Sequence, residues 1–62
     1  MKIRIMNTAF PDDMRWSRAI TNASPMFVPR VGDRVFVGYN PAPTVKNVIW
    51  DYDKSDVLVQ IE

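Results

Sequence analysis

The sequence predicts an all-β protein, a small antiparallel sheet of five short strands that forms a partly open barrel or bends strongly. Three observations carry this. RVFVGY (34–39), TVKNVIWD (44–51) and DVLVQIE (56–62) are β-branched and aromatic runs of strand length. KIRIMN (2–7) alternates polar and apolar residues, with Ile3 and Ile5 on one face. Proline and glycine punctuate the rest without a long helical period. At 62 residues the chain is a single small β domain, 1–62.

Each remaining element follows from local chemistry. Pro11-Asp12-Asp13 suits either a turn or the start of a helix, because carboxylates favour the positive end of the helix dipole. Trp16, Arg18 and Ile20 alternate with Arg15, Ser17 and Thr21, which predicts a second strand from about Arg15 to Thr21. A short helix within 11–23 is the alternative. Pro29 makes MFVPR an edge or crossing segment, and Gly32 permits a left-handed backbone before the next strand. Tyr52-Asp53-Lys54-Ser55 forms a polar hairpin loop. GYNPAPT (38–44) has two prolines where a tight turn would use Asn-Gly, which predicts a stiff arch and a rigid rim for one wall of a binding site.

Pro29-Arg30-Val31-Gly32-Asp33-Arg34-Val35, followed by Val45-Lys46-Asn47-Val48-Ile49-Trp50-Asp51, resembles a motif of small SH3-like β-barrel proteins from bacteria and their phages. Its form is Pro-x-Val-Gly-Asp-x-Val … Val-x-x-Val-x-Trp. The resemblance covers residues 28–62 and implies an SH3-like barrel and a phage or bacterial accessory protein. The motif is fold punctuation and implies no activity.

Small domains usually need a disulfide, a metal or a partner subunit to supplement a thin core. With no cysteine and no histidine, disulfides, thiolate metal sites and the commonest zinc ligand are excluded. Self-association is the expected remedy, as a homodimer or larger assembly. The strand faces point the same way. Val57, Val59 and Ile61 alternate with a set containing Leu58, and Val35 and Val37 alternate with Phe36. In TVKNVIWD, Val48 and Trp50 share one face while Val45 and Ile49 share the other. Met6, Phe36, Val48 and Leu58 are the candidate self-association residues. The alternative is a second core layer in which the N-terminal segment and Trp16 cover that face.

Charge gives a weaker signal. The net charge is +1, but Lys2, Arg4, Arg15, Arg18, Arg30 and Arg34 face only Asp12, Asp13 and Asp33 in residues 1–34. The tail is acidic, with Asp51, Asp53, Asp56 and Glu62 against Lys46 and Lys54. No apolar run reaches membrane-spanning length, so a cytoplasmic chain complete from Met1 is expected. Asn22-Ala23-Ser24 is a chance glycosylation triplet on that reading.

Enzymatic chemistry finds few parts. A nucleophile would have to be Ser17, Ser24 or Ser55, and nothing in their spacing supplies a base. Asp51, Asp53, Ser55 and Glu62 fit calcium-loop positions, but the required glycine is Asp56 and the next run reads as strand. No catalytic residue, metal site or cofactor is therefore expected. Binding is better supplied. Arg15, Trp16, Arg18, Arg30, Arg34, Tyr39, Asn40, Trp50 and Tyr52 offer guanidinium forks and stacking rings for an anionic or nucleotide-type ligand. Trp16 and Trp50 fit a core role equally well. The sequence thus reads as a non-catalytic, self-associating binding module that captures a host protein or sequesters a small nucleotide-type ligand. An RNA- or single-stranded DNA-binding barrel and a structural assembly subunit are the alternatives.

Overall fold

The computed structural model describes all 62 residues, Met1–Glu62. The fold is all-β, a four-stranded sheet of β1 (Lys2–Asn7), β2 (Arg18–Ile20), β3 (Val45–Asp51) and β4 (Asp56–Ile61) in the order β2-β1-β4-β3. Two antiparallel hairpins lie side by side, and the central strands β1 and β4 run parallel. The expected β1, β3 and β4 and the polar loop 52–55 are all present. Asp51 closes that loop by accepting hydrogen bonds from the Asp53 and Lys54 amides, at 3.0 and 3.1 Å. No helix is long and apolar enough to cross a membrane.

Two expectations are corrected. The sheet is mixed, open and four-stranded, with β2 and β3 as edges, so it is neither wholly antiparallel nor the five-stranded barrel expected. The missing strand is RVFVGY, which forms only the isolated bridge Arg34–Thr44. The Val35 amide donates to the Pro43 carbonyl at 3.0 Å. Pro43 has no N–H to return that bond, and in the same register Pro41 faces Val37 without one either. The ladder therefore stops after one rung.

The second expected strand begins later than Arg15. Asp13 accepts the Arg15 amide and caps a single 3-10 turn, Met14–Trp16, so β2 starts only at Arg18. Helical turn and strand share the segment for which they were alternatives. The hairpin extends past β2, where Met1 and Ala23 exchange backbone hydrogen bonds. Asn22 turns the chain there with φ +56°, a conformation asparagine tolerates.

Ile3, Ile5, Val57, Val59, Ile61, Val45 and Val37 form the core. Val45 joins it through a bulge. Val45 pairs with Ile61 and Asn47 with Gln60, leaving Lys46 as the extra residue. The bulge puts Val45 on the same face as Val48 and Trp50, although alternation had set it opposite them. Truncating a fully buried residue such as Ile61 to alanine costs about 2–5 kcal/mol. A chain of this size holds roughly 3–9 kcal/mol in total, so the core has little reserve.

The layer over this face is almost entirely loop, 21–44, contributing Ala23, Val28, Val35, Val37 and Tyr39, together with Trp16. Its order comes from turns. Asp33 donates its amide to the Arg30 carbonyl at 3.0 Å and accepts the Arg30 amide on its carboxylate at 2.8 Å. Gly32, at φ +96°, occupies the position where a type II turn requires a left-handed residue. The Pro-Arg-Val-Gly-Asp motif is thus a closed turn, pinned to β3 by Gly32 N–H to Val45 O and Val45 N–H to Asp33 O.

Candidate functional site

At the end of the sheet where β1 and β4 finish together, a cleft of about 410 Å³ opens. Asn7 lies at its base, Phe10 and Trp16 form one wall, and Pro41-Ala42-Pro43-Thr44 forms the other. Arg34 and Glu62 supply opposite charges at its sides. The proline-rich stretch is the rim its sequence predicts, and its Asn40–Pro41 peptide is cis.

Asn7 is the unusual residue. It continues the inward phase of Ile3 and Ile5 and is only 3% exposed. Its Oδ1 accepts the Ala9 amide at 2.8 Å, which fixes the orientation of the side-chain amide. The Nδ2 group donates to no acceptor in the chain, yet no polar side-chain atom is both fully enclosed and unpaired. Nδ2 therefore retains access to solvent through the cleft. Because Nδ2 can still reach water it carries no full desolvation penalty, and a ligand entering the cleft would take the place of that water as its acceptor.

The walls are rigid for a loop-built site. Trp16 stacks on Tyr39 with ring centroids 4.0 Å apart and on Phe10 at 5.9 Å, while Phe10 and Tyr39 do not stack on each other. Trp16 is thus the middle ring of three, which leaves its edge and the Phe10 ring for a ligand. Thr8 donates its hydroxyl to the Glu62 carboxylate at 3.1 Å and holds it at the cleft. The Arg34 guanidinium has no ion pair or hydrogen-bond partner within the chain.

The nine residues expected to bind a ligand are dispersed. Trp16 and Arg34 share the cleft, with Tyr39 stacked on Trp16 and Asn40 adjoining the rim. Arg30 and Trp50 line a separate groove with Pro25, Met26 and Pro29. Tyr52 is 87% exposed in the β3–β4 loop. Arg15 and Arg18 are occupied within the chain. Arg15 forks onto Asp13 through Nε and Nη2, the latter at 2.7 Å. This hydrogen bond, with the Arg15 amide, holds the Asp13 carboxyl below its ordinary range and raises Arg15. Arg18 donates to the carbonyls of Arg15, Ser17 and Val37, tying β2 to the covering loop.

The expected self-association set also divides. Met6 and Leu58 share the outward face of the sheet, whereas Val48 packs against the core and Phe36 projects from the covering loop. Asn7, Phe10 and Glu62 are the site residues that sequence reasoning passed over. Only Asn7 left a signal, a polar residue in phase with two buried isoleucines. No family model matches the chain, and comparison with curated proteins and with solved structures finds no match.

Proposed function

We propose that the chain is a non-catalytic binding module whose cleft captures a compact, planar, nucleotide-type ligand. The supporting observation is the nearly buried Asn7, which lines the cleft with its Nδ2 group free of any partner in the chain. A heterocycle lying along Phe10 and the Trp16 edge would offer a carbonyl or ring nitrogen to Asn7 Nδ2 and an N–H to Glu62. An attached phosphate would reach Arg34, whose fork suits that group. The cleft volume falls in the range of small-ligand sites.

Thermal melting against nucleobases, nucleosides and nucleoside monophosphates tests this reading. A ligand bound only by the folded chain stabilises it by about 2.7 kcal/mol at a hundred times its Kd. One member of the panel should raise the melting temperature, with the monophosphate form strongest. A panel that leaves the melting temperature unmoved contradicts the reading. Single-stranded nucleic acid is less well supported, because Arg15 and Arg18 are occupied and Arg30 and Arg34 line different depressions. Steeply salt-dependent RNA binding would reverse that order.

A further inference from the structure

The outward face of the sheet has no covering layer, and its residues form an ordered pattern. The strand registers place Ala19, Arg4, Leu58 and Ile49 in one row across β2, β1, β4 and β3. The row on one side holds Lys2, Asp56 and Asp51, and the row on the other holds Met6, Gln60 and Asn47. Basic residues thus stand on β1 and acidic ones on β4 and β3. At one end of the central row Ile49 projects, 48% exposed. At the other end, beside the small Ala19, lies a hollow of about 370 Å³ lined by Met6, Leu58, Pro11 and Met14.

We propose that this face binds a second copy of the chain as an isologous dimer. Its two-fold axis runs parallel to β1 and β4, midway between them. Rotation about that axis exchanges β1 with β4 and β2 with β3. Ile49 of each copy then enters the hollow beside Ala19 of the other, Leu58 packs on the aliphatic stem of Arg4, and Lys2 meets Asp56. A two-fold axis across the strands would instead set Lys2 over Met6 and leave Lys2 unpaired, with Asp56 held only by Arg4 of its own chain at 3.9 Å. The parallel central pair makes this possible, because it places unlike charges symmetrically about a line between the strands. The result is two sheets packed face to face about 10 Å apart, with strand directions nearly aligned. A standard interface takes about 800 Å² from each partner, more than the flat outline of a face 31 by 22 Å, so this contact uses the whole face and lies at the small end of stable interfaces. The dimer also covers Leu58, Ile49 and Met6, the large apolar residues of a face that is otherwise polar and charged.

Sedimentation equilibrium over a concentration series tests the proposal, with circular dichroism to confirm folding. The wild-type chain should reach twice 7.2 kDa. Ile49→Glu, at an exposed edge position, and Leu58→Glu should each weaken the dimer about ten-fold or more, as central interface substitutions do. Lys2→Glu should weaken it and Lys2→Glu with Asp56→Lys should restore it. A chain that stays at 7.2 kDa at every concentration overturns the proposal. So does a dimer indifferent to Ile49→Glu while remaining folded.

Discussion

The cleft over Asn7 and the groove beside Trp50 contain the same kinds of residue, a tryptophan, an unpaired arginine and several prolines, at similar volumes. They differ in what lies beneath. Under the first, a strand of the core ends in a nearly buried asparagine whose Oδ1 is bonded and whose Nδ2 is not. Under the second, the only charged residue is the solvent-exposed Arg30, no polar side chain is buried, and Trp50 is 44% exposed. An arginine beside a tryptophan is ordinary surface chemistry. A side-chain amide at the end of the core, held by Ala9 on one side and without a protein partner on the other, separates a candidate site from a surface depression.

The largest contrast should appear on truncating the two tryptophans. Trp16→Ala removes the middle ring of the stack and part of the loop layer over the core, which should cost about 2–4 kcal/mol. That is enough to leave much of the chain unfolded in a urea titration. Trp50→Ala should cost less than about 1 kcal/mol, as substitutions near the surface do. Equal losses would mean that both rings are structural to the same degree.

Next in size is the pair of arginines. In a ligand titration by calorimetry, Arg34→Gln should weaken a bound nucleoside monophosphate about ten-fold or more, the effect of losing a charge-assisted hydrogen bond. Arg30→Gln should leave the affinity within about two-fold. The reverse ranking would move the site to the Trp50 groove.

The smallest effect concerns Asp13, which caps the turn that delivers Trp16 to the stack. Its carboxyl titrates below the ordinary carboxylate range when folded, so the unfolded chain binds the proton more readily. The stabilisation is present above the unfolded value and is lost as pH falls through the folded one. Because the Arg15 side chain is exposed and Asp13 only partly covered, the effect should be small and screened by salt. Asp13→Asn should flatten this part of the acid profile of melting temperature, and an unchanged profile would assign the acid sensitivity elsewhere.

Legibility in the sequence followed the range of the physics. β1 and β4 were readable because their alternation runs unbroken against one buried face. β3 was readable as a strand but not in its facing, since one extra residue at Lys46 reverses the phase of Val45. RVFVGY has the composition of a strand and fails as one because the segment opposite it carries Pro41 and Pro43. The cleft was legible in part. The rim, Trp16 and Arg34 stood out as residue types, but Asn7 and Glu62 meet only because the first and last strands pair in parallel. No local pattern encodes that juxtaposition. Arg15 and Arg18 looked like free forks because their partners, Asp13 and the backbone carbonyls, are set by the 3-10 turn and the covering loop.

Asn7→Leu tests the central claim most directly, with melting temperature and ligand-induced stabilisation measured on the same protein. Leucine fills a similar volume and removes the unpaired donor, while the exposed Ala9 amide can turn to water. The expected result is a melting temperature equal to or above that of the wild-type chain, together with loss of the shift produced by a nucleoside monophosphate. A markedly lower melting temperature with the ligand shift intact would make Asn7 a structural cap for Ala9 and contradict its assignment to a binding site.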